Sequence, residues 1–435
     1  MSEPKGAAGD WTEERGACAE GRGKEPAEGR PEASELALSD LRVVELGQLL
    51  AGPFCGQLLG DFGAEVIKVE LPGQGDPMRE WGREKPHGKS LWWPVVARNK
   101  LSVTCNLRSP DGQDLLRRLL AHADVLVENF RPGTLERWGL SPEALWQVNP
   151  GLVITRVTGY GQTGPYAPRA GFGAIGEAMG GIRYVMGSPQ EPPVRAGISL
   201  GDALAATFAC LGTLVALHHR ERSGRGQVVD SAIYEAVLAM MESLLPEWAV
   251  AGYQRERTGA VLPNVAPSNV YPTGDGDLVL IAANQDTVFG RLAAVMERPA
   301  LAADPRFATH SARGAAMREL DDLIAAWTAT LGADDLLGRL HEAGVPAGRI
   351  FRARDMFTDP HFAARNAIVT VAHPDFGAIP MQNVTPKLSA TPGAVRSAGP
   401  ALGEHNDQVW RELVGLDAAE FARLRAASII CVAVI

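Results

Sequence analysis

Large apolar side chains are rare over the first forty residues, and at Leu41 the pattern changes abruptly. Residues 1–40 carry five Lys/Arg against ten Asp/Glu among Gly, Ala and Pro. So little apolar surface cannot offset the entropy of ordering, and a disordered tail is expected. From Leu41, LRVVEL is a short β-branched run suited to a buried parallel strand. In the stretch 51–65, Pro53 suits a first helical turn, and Leu58, Leu59 and Phe62 recur at helical spacing. EVIKVE at 65–70 reads as a second strand. Strand, helix and strand in succession form a βαβ unit, which requires parallel pairing and a right-handed crossover. The alternation continues with a strand at 101–107, a helix at 111–122, and strands at 124–130 and 151–161. An α/β fold with a doubly wound, Rossmann-like large domain is predicted.

Beyond Gly171 the chain turns helical. Ala203–His219 is strongly apolar, but over about 17 residues with two histidines it reads as a buried helix, not a membrane span. A second long helix is expected over Val228–Ala251. Past Thr258, VYPTGDGDLVLIAAN is a hairpin pattern around Gly274, Asp275 and Gly276. Helices expected at 287–295, 317–331 and 333–343 complete a smaller α+β region, and short strands and loops return from Arg349. A last helix is expected at 404–413, while the final SIICVAVI suits an edge strand or a floppy end equally. The expected division is a tail over 1–40, the N-terminal part of the large domain over 41–230 and linker helices over 231–261. A small domain over 262–348, a return to the large domain over 349–420 and a C-terminal tail over 421–435 complete it.

Composition narrows the function classes. A net charge of -9 argues against nucleic acid, whose phosphates call for a clustered basic surface. The tail holds much of that charge, so the folded body is closer to neutral. Cys18, Cys55, Cys105, Cys210 and Cys431 are scattered without metal-site or CxxC spacing, which predicts a reducing, cytoplasmic setting. The first residues lack the apolar core of a signal peptide, and no run reaches the length a bilayer demands, so no membrane partner is expected.

Candidate chemistry is mostly eliminated before it is found. Gly159–Gly164 spells G-x-G-x-x-G after a predicted strand, but Pro165 and Pro168 follow where a dinucleotide site needs a helix to open. A tight functional loop is the better reading. No G-x-S-x-G elbow and no H-E-x-x-H occur, and His218 and His219 point to different faces of a helix, so no metal is expected. What remains is Asp202, which follows Gly201 and opens an apolar helix. One reading makes it an N-cap; the other makes it a carboxylate nucleophile at the mouth of an apolar pocket.

The ordered blocks LLAGPFCGQLLGDFGAEVIKVE, GDPMREWG, RNKLSVTCNLRSPDG, VLVENFRPGTLERWGL, TGYGQTGPYA, LGDALAA and SGRGQVVDSAIYEAV resemble the family III CoA-transferases, from about Leu41 to Val414. The resemblance implies that Asp202 attacks a donor thioester to give a mixed anhydride, that CoA thiolate converts this to an enzyme thioester, and that an acceptor acid reverses the steps. It implies a CoA thioester as cosubstrate with no tightly bound cofactor, a small carboxylic acid as the other substrate, and an interlocked homodimer. Succinyl-CoA or another short dicarboxylyl-CoA is the implied donor, and Arg183 and Arg195 are cations near Asp202 in sequence. Ala51, Cys105, Asn106, Leu107, Arg108, Asn129, Phe130, Arg131, Arg137 and Gly173 match positions on the CoA side, with Arg131 and Arg137 as phosphate donors. The chain departs from the family pattern at two places. Leu50 stands where many members carry a glutamine, leaving Gln48 as the candidate support, and Gly173 stands where an acid is common, leaving Glu177 one turn on. Related 2-methylacyl-CoA racemases resemble a His-Asp pair at Phe172 and Gly173, and Phe172 cannot move a proton. That racemase and a catalytically silent CoA-binding homologue are the alternatives.

Overall fold

The computed structural model describes residues 36–431. Its centre is a parallel six-stranded sheet built from β1 (Arg42–Glu45), β2 (Glu65–Glu70), β3 (Lys100–Thr104), β4 (Val125–Glu128), β5 (Val153–Thr158) and β6 (Val228–Ala232). The strands lie in the order β3-β2-β1-β4-β5-β6, with Val43 opposite both Val66 and Val125. The order reverses between β1 and β4, and in such sheets that switch opens a crevice at the carboxyl ends of the strands.

Alternate residues of the strands feed two cores. On one face Val44, Ile67, Leu126 and Ile154 pack with Leu115, Leu116 and Leu119 of helix α1 (Pro110–Leu120) and with Trp410. On the other, Val43, Val66, Val125 and Val153 pack with Cys55 and Leu59 from the helix Ala51–Asp61. Ala205, Ala206, Ala209 and Ala216 join this second core from the helix Leu200–Ser223. Their small side chains let that 24-residue helix lie close on the sheet. It is longer than its apolar run suggested, and by length and composition alone it could cross a bilayer. Leu211, Leu214 and Val215 on its outer side are exposed.

Three expectations change. Val228–Ala232 is not helical but pairs with β5 as the sixth strand, because its valines complete the sheet edge; helices follow only at Ile233–Leu238 and Leu244–Ala251. The body also begins before Leu41: Leu36 is buried and the Leu38 N–H bonds to the Phe62 carbonyl, while residues 1–35 of the expected tail lie outside the described residues. Nor is the far end a tail up to Cys431. Phe421 and Leu424 pack from the helix Ala418–Ala426, and Ile429 and Ile430 enter the core. The Ile429 carbonyl accepts from the Asn106 N–H, so this segment hooks onto the end of β3 without forming a strand. The last four residues lie outside the described range.

The middle of the chain forms a separate antiparallel sheet, in which β7 (Ser268–Pro272), β8 (Leu278–Ala282) and β9 (Ala347–Arg349) neighbour one another in that order. Tyr271, Ile281, Phe289, Leu320 and Leu336 share its core with three helices. A hairpin of β10 (Ile368–His373) and β11 (Gly377–Gln382) then packs beside Phe62 and Val95.

Candidate active site

A cavity of about 430 Å3 opens at the switch between β1 and β4, lined by the loops that leave β1, β4 and β5. Charged strand ends brace these loops from below. Glu45 lies between Lys68 and Lys100, and Lys68 reaches Asp76 and the Gly47 carbonyl. Burial opposes the charge on Lys68, but Glu45, Asp76 and Glu70 outweigh it and hold its pKa above the usual value. Asp76 in turn accepts from the Leu49 N–H, which fixes Leu49 at φ 63. Across the cavity, Arg156 bonds Glu128 and Glu136, and Glu128 accepts from the Phe130 N–H. The two loops are stitched together: the Gln48 N–H donates to Asn129 Oδ1, and Asn129 Nδ2 donates back to the Gln48 carbonyl, both at 2.8 Å.

The G-x-G-x-x-G stretch is a loop with no helix opening from it. Gly159 is needed there because a Cβ would come within 2.8 Å of the Gly171 backbone. This crossing sets Tyr160 and Phe172 on the cavity wall. Directly after it starts a short helix, α2 (Gly173–Met179), and the long helix α3 (Leu200–Ser223) opens alongside.

Asp202 is the third residue of α3, not its N-cap; that place belongs to Ser199, whose side chain makes no cap hydrogen bond. Gly173 packs directly against it, since a Cβ built there would fall 2.2 Å from Asp202 Oδ2. Among the described residues the Asp202 carboxylate accepts no hydrogen bond. Burial, with the charge of Glu177 added, pushes its pKa up to about 6, against the pull of Arg195. A carboxylate stripped of hydrogen bonds and facing a cavity is a stronger nucleophile than a solvated one. Behind it Glu177 is fully buried, accepting from the Gly201 N–H at 3.1 Å and from Arg183 Nε at 2.7 Å. Arg183 is therefore spent on Glu177, while Arg195 lines the cavity.

The cavity gathers Gln48, Ala51, Asn129, Phe130, Arg131, Gly173 and Asp202. It does not gather Cys105, Asn106, Leu107, Arg108 or Arg137. The first four follow β3, two strands from β1, where Cys105 is buried and its thiol pushed up to about 12 by that burial. Arg137 ends a short helix and bonds Thr134. Trp81, Tyr160, Arg169 and Ser199 also line the wall, and sequence reasoning had not singled them out. Trp81 sat inside a recognisable block, but nothing in that block said which way it faces. Arg169 stacks 3.6 Å over Tyr166, and among the described residues neither it, Arg131 nor Arg195 forms an ion pair. A larger cavity of about 800 Å3 lies at the amino-terminal edge of the sheet and contains none of the singled-out residues. No cluster of metal-ligating side chains occurs among the described residues.

The model of CoA-transferase family III matches residues 38–406. The succinyl-CoA–D-citramalate CoA-transferase of Chloroflexus aurantiacus is 63% identical over 393 residues, 90% of this chain and 98% of the relative. The alpha subunit of a succinyl-CoA–L-malate CoA-transferase from Chloroflexus aurantiacus is 42% identical over 424 residues, 94% of this chain and 99% of the relative. A crystal structure of a CAIB/BAIF family protein from Brucella suis superposes with a TM-score of 0.78 at 36% identity, covering 87% of this chain and 100% of that one.

Proposed function

From the premise that this chain belongs to CoA-transferase family III and is a CoA-transferase, we propose that it moves CoA from succinyl-CoA to a small dicarboxylic acid through covalent intermediates on Asp202. The observation that carries this reading is the Asp202 carboxylate: desolvated, without a hydrogen bond among the described residues, and aimed into a cavity of small-ligand size.

A carboxylate oxygen of Asp202 attacks the thioester carbonyl carbon, the C–S bond breaks, and CoA leaves as the thiolate. The product is a mixed anhydride between Asp202 and the succinyl group. The thiolate then attacks Cγ of Asp202, the anhydride C–O bond breaks, and succinate departs, leaving Asp202 as a CoA thioester. An acceptor carboxylate attacks the same carbon, expels the thiolate and forms a new anhydride. Attack of the thiolate on the acceptor's carbonyl carbon releases the new acyl-CoA and restores the carboxylate. Over the whole cycle one CoA thioester is exchanged for another of similar energy, and each step transfers an acyl group between oxygen and sulfur without consuming a metal, hydride or external water. The first step neutralises the Asp202 charge, which the site holds at a cost, and the last step restores it. The guanidiniums of Arg195, which reaches Ser199 Oγ at 3.4 Å, and of Arg169, stacked on Tyr166, have no carboxylate partner among the described residues and suit the distal carboxylate of a dicarboxylyl group. Arg131 at the loop after β4 suits a CoA phosphate. The names of the two relatives above, both succinyl-CoA-dependent, support the same donor. Exposed Leu211, Val215, Leu245 and Trp248 support self-association of the chain.

The test is incubation with succinyl-CoA followed by intact-mass analysis and hydroxylamine trapping. Wild type is expected to carry a hydroxylamine-sensitive adduct mapped to Asp202, and Asp202→Asn none. Absence of an adduct from wild type, or its persistence in Asp202→Asn, would refute the reading.

A further inference from the structure

We propose that Glu177 is a positioning residue for Asp202, holding the first turn of α3 in place and setting a fixed negative charge behind the nucleophile. The proposal rests on Asp202 as the nucleophile. Glu177 lies one helical turn after Gly173, so both face α3 from the same side of α2. One carboxylate oxygen accepts from the Gly201 N–H, the amide next to Asp202 in the chain, while Ser199 leaves that turn without a side-chain cap. The other oxygen holds Arg183, which stands behind Glu177 and away from the cavity wall.

Close packing explains why the charge comes from here. A Cβ at Gly173 would collide with Asp202 Oδ2, so no acid fits at that position while the nucleophile stands where it does. At Gly201 a Cβ would come within 2.9 Å of the Gly173 carbonyl and 3.0 Å of Glu177 Cγ. The two glycines therefore bring α2 and α3 together until Glu177 can reach the turn. A neutral amide would serve the Gly201 N–H equally well. Burying a carboxylate carries a desolvation penalty that an amide largely avoids, so the charge calls for a reason. The covalent cycle supplies it. Repulsion between Glu177 and Asp202 is present only while Asp202 is a free carboxylate and vanishes in the anhydride and the thioester. Glu177 thus raises the nucleophile's basicity and favours acylation. Asp202 is otherwise faced by Arg195 from the segment before α3, with Arg131, Arg169 and Tyr160 on the same wall.

Full-length Glu177→Gln, Glu177→Asp and Arg183→Met chains would be compared with wild type. The rate of adduct formation from succinyl-CoA would be followed from about pH 5 to about pH 8, with melting curves alongside. In Glu177→Gln the acid limb is expected to move to lower pH, and acylation on the plateau to slow by about three- to tenfold, as a less basic nucleophile demands. Glu177→Asp is expected to restore part of the shift, and Arg183→Met to move the limb upward. An unmoved limb in Glu177→Gln, or a loss that is uniform with pH and tracks the melting temperature, overturns the proposal. Should Glu177→Gln fail to fold, an unmoved limb in Arg183→Met overturns it instead. Failure of wild type to form any adduct would instead sink the role of Asp202, which separates the two ideas.

Discussion

Replacing Gly173 by alanine puts a methyl group where the Asp202 carboxylate stands. The added Cβ would lie 2.2 Å from Oδ2 and 2.7 Å from Cγ, whereas ordinary contacts begin near 3.4 Å. The backbone at Gly173 has no positive φ, so an alanine there is unstrained and adds helix propensity at the first turn of α2. The whole burden falls on the carboxylate, which must swing by about 1 Å. Misplacement of a reacting group on that scale costs on the order of 10²-fold in rate. The expected outcome is a fall in kcat/KM for succinyl-CoA of about a hundredfold with a melting temperature close to wild type, because a carboxylate facing the cavity can rotate without disturbing either core. Steady-state transfer followed by chromatography, with the acylation rate from quenched intact-mass samples, measures the first; calorimetry measures the second. Activity within a few-fold of wild type would mean that Asp202 does not work from its observed position, and the reasoning about this contact would be refuted.

Other expectations follow from the same residues. With Asp202 at about 6, kcat/KM should rise with pH through that value and level off above it, and a profile flat from pH 5 to 8 would contradict the assignment. Its pKa is raised on folding from an ordinary 3.8, so ionisation costs stability, absent below the unfolded value and fully present above the folded one. Asp202→Asn should therefore be inactive yet more stable by about 2 kcal/mol at neutral pH, with the gain disappearing near pH 4 in denaturant titrations. Arg195→Met should lower kcat/KM for succinyl-CoA at least about tenfold more than for butyryl-CoA, which lacks the distal carboxylate; equal losses would assign Arg195 to Asp202 alone. Arg156→Met leaves Glu128 buried without its partner and should destabilise by about 3 kcal/mol, read as a drop in the urea midpoint.

The first half of the sheet was legible because its strands are buried on both faces and read as continuous apolar runs, as in LRVVEL and EVIKVE. Val228–Ala232 was not, since its apolar residues run unbroken into the helix at Ile233 and periodicity alone could not divide them. Charged residues inside strands were equally mute. Glu45, Lys68, Lys100, Glu128 and Arg156 are buried because each meets an opposite charge on a neighbouring strand or loop, and such partners lie far apart in the chain. Glu177 could be a solvated helix residue or a buried brace until the approach of α2 to α3 decided it.

By itself the sequence determined residue types and their order: a parallel α/β sheet, glycine-rich turns after the strands, one acid opening an apolar helix, and blocks specific enough to name a family. These are local or periodic properties, and hydrophobic spacing with turn chemistry encodes them directly. Only the tertiary structure decided which of those residues share a cavity. It left Asp202 without a hydrogen bond among the described residues, assigned Arg183 to Glu177 and Arg195 to the cavity, and kept the residues after β3 off its wall. Desolvation and charge pairing depend on distances between segments far apart in the chain, and no local pattern carries those distances.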